Sequence, residues 1–168
     1  TRKESSAASD VYKRQDFVAG ALDALRPEDG IVGEEGAAKT STSGRTWVID
    51  PVDGTYNFAS GSDYFCSALA LVEGEASDPA RILTSAIHRP ALATTWVADN
   101  GTATRNGRTL EQLIDAPLPH LALATYLHPT SMKDEAIRNA WLDATNCAAT
   151  VRMFGAGSID LALSLIHI

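Results

Sequence analysis

Residues 47–58, WVIDPVDGTYNF, contain the pattern that decides both the fold and the chemistry of this chain. The β-forming side chains at 46–49 (TWVI) predict a short strand, and the Asp-Pro pair at 50–51 ends it because proline has no amide hydrogen to donate to a sheet. The Asp-Gly pair at 53–54 then predicts a tight turn. Such a corner lets two carboxylates and the carbonyl of Val52 converge on one point, as a site for a hard cation requires.

The donors at this corner are all oxygen atoms, which suit Mg²⁺. This ion keeps several water ligands, and a substrate phosphate usually completes its coordination sphere. Glu34 lies in a polar loop at 33–44 (GEEGAAKTSTSG) and can supply a further oxygen. The motif D-P-x-D-G also has a simpler interpretation, a strand-to-turn corner in which an aspartate caps a backbone amide. Glu34, Thr55 and the Asn-Phe pair at 57–58 favour the metal site over the bare corner.

Further motifs surround this corner: residues 33–35 (GEE), 47–55 (WVIDPVDGT), 57–58 (NF), and 106–107 (NG), which predicts a hairpin turn. Residues 152–162 (RMFGAGSIDLA) add a glycine-containing segment ahead of a predicted helix. Together these motifs resemble the inositol monophosphatase family of magnesium-dependent, lithium-sensitive phosphatases. The last segment is similar to the family's R-x-x-G-S-A-A-x-D-L-A pattern, with AGS at 156–158 in place of SAA. The similarity covers residues 16 to about 163.

The resemblance implies a set of metal ligands. Glu34, Asp50 and the carbonyl of Val52 are expected to bind a first Mg²⁺. Asp50 is expected to bridge to a second ion that Asp53 also binds. The resemblance therefore implies Mg²⁺ as the cofactor, with two or three ions.

The resemblance also implies which residues act on the substrate. Glu34 and Thr55 are the expected catalytic residues, and Thr55 orients the attacking water. The expected substrate-binding residues are Asp53, Gly54, Thr55, Arg152 and Gly155. Of these, the Gly-Thr pair would offer backbone amides to the phosphate. Two simpler interpretations stay open, because an arginine on a strand is often a surface residue and the small residues at 155–158 also suit close packing.

The activity implied is hydrolysis of a small phosphorylated polyol such as myo-inositol monophosphate by a metal-activated water. Histidinol phosphate, fructose 1,6-bisphosphate and a 3′-phosphoadenosine nucleotide are alternative substrates for the same fold. A truncated relative without catalytic activity is an alternative of another functional class. Two departures favour it: Val11 stands where the family has an aspartate, and the family's late Trp-Asp motif is not found up to Ile168.

The composition argues against nucleic-acid and membrane partners and favours a small-molecule substrate. Lys and Arg number 14 against 21 Asp and Glu, and the net charge of −7 disfavours nucleic acid. No apolar run approaches the ~20 residues that span a bilayer, so a membrane partner is not expected. The two cysteines lie far apart outside any C-x-x-C pattern, which favours a reducing, cytoplasmic location. The resemblance also implies that a homodimer is possible.

The order of predicted elements indicates a mixed α/β protein built in layers. A helix begins at Asp16 and has an apolar face made of Phe17, Val18, Ala21, Leu22 and Leu25. Strands are predicted at 46–49, 65–72, 82–88, 93–98, 121–126 and 150–154, with helices at 131–145 and from 158 onward. For this order the family resemblance implies a truncated αβαβα sandwich.

Three regions are expected along the chain. Residues 1–15 are expected to be a non-native or disordered tail, because they lack a clear apolar period and their end, DVYKRQ, resembles translated adapter sequence. Residues 16–115 are expected to form an N-terminal metal-binding α+β domain. Residues 116–168 are expected to begin an incomplete C-terminal α/β domain, in which 163–168 (LSLIHI) also resembles adapter sequence.

Overall fold

The computed structural model describes residues 2–34, 36, 38–111 and 115–164, with side chains from Val11 onward. Glu35, which belongs to the Gly-Glu-Glu motif, and residues 165–168 lie outside the described residues.

The first helix, α1, spans Arg2–Leu25. It begins well before Asp16, so the expectation of a disordered tail is wrong for residues 2–15. Val11 and Gln15 are each only 2% exposed and share a buried stripe with Leu22 further along the helix. Apolar periodicity did not indicate this stripe, because one of its residues is a glutamine. That residues 1–15 are non-native stays a prediction.

The predicted apolar face of this helix is only partly correct. Val18 and Ala19 pack with Leu22 against the sheet, whereas Phe17 and Leu25 are each 77% exposed. Phe17 precedes Val18 by one residue and is therefore rotated by about 100° from the buried stripe. Leu25 is the last residue of the helix, where the chain turns away.

A mixed eight-stranded sheet forms the centre of the described structure, in the order β2-β1-β3-β4-β5-β6-β7-β8. β1 and β3 pair in parallel, and every other pair of neighbours is antiparallel. The strands are β1 Gly30–Gly33, β2 Ala38–Lys39, β3 Arg45–Asp53, β4 Cys66–Glu75, β5 Asp78–Arg89, β6 Thr94–Asp99, β7 Thr102–Arg105 and β8 Arg108–Thr109.

The four long strands of this sheet confirm the prediction. The strands predicted at 46–49, 65–72, 82–88 and 93–98 correspond to β3 to β6. The hairpin turn predicted at Asn106 and Gly107 is also confirmed, since both residues have positive φ angles, 49° and 76°, between β7 and β8. The sequence pattern missed β1, β2, β7 and β8, because two to four residues are too few to show an alternation.

Pro51 does not end β3 as predicted, because the strand continues to Asp53. The pairing with β4 is irregular between Asp50 and Asp53, and this irregularity accommodates the missing amide hydrogen of the proline. The Pro51 carbonyl accepts a hydrogen bond of 2.8 Å from the hydroxyl of Ser67. The strand therefore carries the chain two residues further, into the predicted turn.

The last third of the described chain forms a second, two-stranded sheet flanked by helices. Its parallel strands are β9 Ala122–Ala124 and β10 Thr150–Arg152, and the helices are α3 Glu135–Asn146 and α4 Gly157–Ser164. α3 begins later than the predicted 131, because the side chain of Asp134 caps it by accepting hydrogen bonds from the amides of Ala136 and Ile137. None of the helices in these ranges is long and apolar enough to span a membrane.

Two buried clusters hold the elements around the end of β3. Leu22, Ile31 and Ile49 pack α1 onto β1 and β3. In the second cluster, Cys66 at the start of β4 packs with Ala156 and Ile159 of residues 155–164, which we call the α4 segment. The carboxyl end of β3 therefore lies where the sheet packs against the α4 segment.

A buried aspartate joins β1 to β3. Asp29 is 3% exposed and accepts hydrogen bonds from the Ser43 hydroxyl at 2.7 Å, the Trp47 indole at 3.0 Å and the Arg26 guanidinium at 3.2 Å. Burial acts to raise the pKa of Asp29, but these donors and the charge of Arg26 outweigh it and hold the pKa below its usual value.

Replacing this carboxylate should destabilise the protein in a pH-dependent way. Because the pKa is lower in the folded state, its stabilising effect is present at neutral pH and is lost as the pH falls through the folded pKa. We expect Asp29→Asn to lower the free energy of unfolding by about 1–3 kcal/mol at pH 7, and by less at pH 3. Urea unfolding at the two pH values checks this, with the exposed Asp16→Asn as control. An equal loss at both pH values would contradict the assignment.

Candidate metal and phosphate site

The register of two parallel strands brings Glu34 and Asp50 together. Gly33 at the end of β1 lies opposite Ile49 of β3, and the next amide, that of Glu34, donates to the Ile49 carbonyl at 3.2 Å. The charge of Glu34 is then close enough to Asp50 to help raise the pKa of the Asp50 carboxyl. Two carboxylates that are distant in sequence therefore share one edge of the sheet.

Negative charge accumulates around Asp50. Burial, followed by the nearby charges of Glu34 and Asp53, raises the pKa of Asp50 to about 7, although the Val52 amide donates a hydrogen bond of 3.0 Å to its Oδ1. The ion pairs found among the described residues involve none of these three carboxylates. A bound cation would therefore lower the electrostatic repulsion among the carboxylates of Glu34, Asp50 and Asp53.

Asp53 is held by the α4 segment. Its Oδ2 accepts a hydrogen bond of 2.5 Å from the Ser158 amide, and the Cys66 thiol approaches the same oxygen at 3.8 Å. Cys66 is fully buried, and burial together with the charges of Asp53 and Asp50 raises the pKa of its thiol to about 12. The thiol therefore stays protonated beside the carboxylate.

The expected convergence on one point is only partly present. In the described part of the chain, no three Asp, Glu, His or Cys side chains are gathered closely enough to hold an ion as they stand. Like charges repel, and Asp53 takes the amide donor that the first turn of α4 offers. The sequence pattern missed this contact because Asp53 and Ser158 are 105 residues apart.

The chemistry of the donors nevertheless fits a divalent cation. The carboxylates of Glu34, Asp50 and Asp53 and the carbonyl of Val52 supply only oxygen, the ligand type that Mg²⁺ prefers. The Val52 carbonyl already accepts a hydrogen bond of 2.9 Å from the Thr55 hydroxyl. A carbonyl oxygen has two lone pairs and keeps one for a cation. These residues supply the donor types that a divalent cation requires.

Gly54 allows the turn after β3 to approach the α4 segment. Its φ of 89° lies in the left-handed region, and an added Cβ would lie 3.0 Å from the Tyr64 carbonyl oxygen and 3.1 Å from the Cβ of Ala156. The Gly155 carbonyl oxygen would be 3.3 Å away. Gly54 and Gly155, both predicted to bind substrate, are therefore neighbours. A larger residue at Gly54 would push the two segments apart.

Of the remaining predicted site residues, Thr55 lies beside the metal donors and Arg152 does not contact them within the described ranges. Thr55 begins a short helix, α2 Thr55–Ser60, that the sequence pattern did not predict. Its hydroxyl is tied to the carbonyl of Val52. Arg152 is exposed at the end of β10, and no contact among the described residues joins its side chain to the carboxylate cluster. Its predicted role in substrate binding stays a prediction.

Three polar residues that sequence reasoning left without a role tie the two segments together. The side-chain amide of Asn57 donates to the carbonyls of Tyr64 at 2.8 Å and Phe154 at 2.7 Å. The Tyr64 hydroxyl donates to Asp160 at 2.5 Å. The motif match at 57–58 could have indicated Asn57, but no local pattern indicates the pairing of Tyr64 with Asp160.

Val11, which stands where the family has an aspartate, lies on α1. Val11 is buried in α1 and offers no oxygen donor there. One turn later, the carboxamide of Gln15 packs against Gly33, where an added Cβ would lie 2.8 Å from it. A side chain at residue 33 would therefore displace the end of the Gln15 side chain.

Comparison with known proteins places this arrangement in a family. The model of the inositol monophosphatase family matches residues 8–166. The chain belongs to the inositol monophosphatase family. It is 28% identical over 157 residues to a histidinol-phosphatase from Mycobacterium tuberculosis, covering 82% of this chain and 56% of that protein. It is 30% identical over 139 residues to a fructose-1,6-bisphosphatase/inositol-1-monophosphatase from Aquifex aeolicus, covering 82% of this chain and 51% of that protein.

A solved family structure confirms the layered α/β fold. The extragenic suppressor protein suhB from Bartonella henselae superimposes with a TM-score of 0.80 at 24% identity, covering 91% of this chain and 58% of that one. The chain thus spans a little over half the length of the relatives it matches. The two sequence relatives are named as phosphatases, and the inositol monophosphatase family is generally metal-dependent.

The crowded carboxylates should destabilise the metal-free protein at high pH. Because the pKa of Asp50 is raised from 3.8 to about 7 on folding, the folded state gains protons, and stability falls as the pH rises through 7. We expect Asp50→Asn, which cannot ionise, to melt at a higher temperature than the unmodified chain at pH 8.5 and at a similar temperature at pH 4, both in EDTA.

Thermal unfolding between these pH values measures the effect, with the exposed Asp78→Asn as control. A difference in melting temperature that does not change with pH would show that Asp50 is not crowded by Glu34 and Asp53.

Proposed function

We propose that the protein containing this chain is a magnesium-dependent phosphomonoesterase that hydrolyses a small phosphorylated polyol. One observation carries the proposal: the carboxylates of Glu34, Asp50 and Asp53 lie at the carboxyl ends of β1 and β3 with no cationic partner in the described ion pairs. An acidic edge repels a phosphate ester unless cations lie between them. When bound by these residues, Mg²⁺ would supply this charge, polarise the phosphoryl oxygens and lower the pKa of a water.

The chain's own residues divide the remaining work. Glu34, Asp50, the Val52 carbonyl and Asp53 would hold two or three Mg²⁺ ions. Glu34 is exposed at the edge of the sheet, where its carboxylate can accept a proton from an attacking water. The hydroxyl of Thr55 is fixed by the Val52 carbonyl at 2.9 Å, so its oxygen is oriented to accept a hydrogen bond from the same water.

The phosphate would bind beside the turn that follows β3. Gly54 has no side chain to cover the backbone there, and the first amides of α2 have no partners within the helix. These amides, from Gly54 and Thr55, are the donors proposed for the phosphate oxygens. Asp53 and Gly155 lie next to this turn and would contact the rest of the substrate together with Arg152.

The identity of the organic group is the finer part of the proposal. Myo-inositol monophosphate is the reference substrate, and the names of the two relatives support histidinol phosphate and fructose 1,6-bisphosphate as alternatives. A 3′-phosphoadenosine nucleotide is the fourth candidate. The expected cytoplasmic location and homodimer belong to the proposal as well. The expected absence of nucleic-acid partners rests on the acidic composition.

A relative without catalytic activity is the second candidate. Val11 favours it, because this buried apolar side chain occupies a position where the family resemblance implies a carboxylate. Such a protein would keep the carboxylate edge and could bind a cation weakly. It would not release phosphate from any of the four esters.

Phosphate release separates these candidates. The protein is incubated with each of the four esters, with Mg²⁺ or with EDTA, and inorganic phosphate is measured. We expect release from at least one ester only with Mg²⁺, and a decrease on the order of 10²–10⁴-fold in Glu34→Gln with the fold retained, because Glu34 is the proposed base.

The exposed Glu28→Gln serves as the matched control and should keep full activity. Activity of Glu34→Gln within about threefold of the unmodified protein would remove Glu34 from the mechanism. No release from any ester at millimolar Mg²⁺ would support the non-catalytic relative.

A further inference from the structure

One hydrogen bond joins the segment after α2 to the first turn of α4. The Tyr64 hydroxyl donates to Oδ1 of Asp160 at 2.5 Å across 96 residues of sequence. Burial and the hydrogen bond to Asp160 raise the pKa of Tyr64 above its usual value, so the phenol keeps its proton at physiological pH. The donor and the acceptor are therefore fixed.

The ring of Tyr64 is held in place from two sides. The Arg89 guanidinium lies 4.8 Å from the ring centroid, and the Phe154 ring packs against it with centroids 4.9 Å apart. The Asn57 amide holds the backbone by donating to the carbonyls of both aromatic residues. A tyrosine fixed at so many points can hold Asp160 at a defined position.

The turn that Asp160 belongs to also makes the contact with the carboxylate edge. Ser158 precedes Asp160 by two residues, and its amide donates to Oδ2 of Asp53 at 2.5 Å. The Asp160 amide in turn donates to the Ala156 carbonyl at 3.2 Å. A displacement of Asp160 would therefore move the Ser158 amide relative to Asp53.

We propose that Tyr64 and Asp160 are positioning residues that hold the first turn of α4, so that the Ser158 amide fixes one oxygen of Asp53 and leaves the other for a metal ion. The inference rests on the proposed function, in which Asp53 is a metal ligand. Hydrogen-bond partners of a ligating carboxylate orient it and tune its affinity, and their loss typically weakens metal binding about 10–100-fold.

Binding of Mn²⁺ to the whole chain, measured by calorimetry, tests the proposal. We expect Tyr64→Phe, which keeps the ring but loses the donor, and Asp160→Ala to weaken Mn²⁺ binding by about tenfold, the lower end of that range. Asp160→Asn keeps an acceptor oxygen and should bind as the unmodified chain does. Tyr126→Phe, which removes an exposed hydroxyl elsewhere, should also leave the affinity unchanged.

Hydrogen exchange of the Ser158 amide gives a second measurement that does not require metal. Protection of this amide should fall in Tyr64→Phe and Asp160→Ala and persist in Asp160→Asn. Circular dichroism confirms that each variant is folded at the temperature of measurement.

The outcomes are distinguishable. A lower melting temperature in Tyr64→Phe with unchanged Mn²⁺ affinity and unchanged Ser158 protection would show a purely structural bond and overturn the inference alone. Failure of the unmodified chain to bind Mn²⁺ would overturn the proposed metal site and the inference together.

Discussion

The crowding of like charges at one edge of the sheet is the constraint on which the rest of the structure depends. The parallel pairing of β1 with β3 places Glu34 against Asp50, and the irregular end of β3 adds Asp53 two residues after a proline. Burial beside other carboxylates is unfavourable for an ionised carboxylate, and it raises the pKa of Asp50. The cation proposed above would relieve this repulsion between carboxylates.

The end of β3 is also where the two segments of the chain meet. Asp53 is bound by the Ser158 amide, Gly54 approaches Gly155, and Cys66 packs with Ile159. The carboxylate edge therefore depends on residues that lie about a hundred positions further along the chain. This dependence explains why a glycine is required at position 54, where an added Cβ would lie 3.0 Å from the Tyr64 carbonyl oxygen and 3.1 Å from the Cβ of Ala156.

Local patterns predicted much of this structure, and long-range pairing was beyond them. The turn at Gly54 and the long antiparallel strands follow from local chemistry and could be predicted. The length of α1 could not, because its buried stripe includes the polar Gln15. The Glu34 and Asp50 pair depends on a parallel register, and the Asp53 contact on a helix 105 residues away. Neither leaves a periodic signal in the sequence. Donor chemistry and the family resemblance both indicated that Glu34, Asp50 and Asp53 act together, but nothing in the sequence indicated the contact of Asp53 with Ser158.

Anomalous diffraction from crystals soaked in Mn²⁺ at pH 8 tests the central claim most directly, because it locates the ion without requiring turnover. We expect an anomalous peak bounded by the carboxylates of Glu34 and Asp50 and the carbonyl of Val52, with Asp53 at its margin. A crystal that shows no peak at this edge, or only peaks elsewhere on the acidic surface, would contradict it.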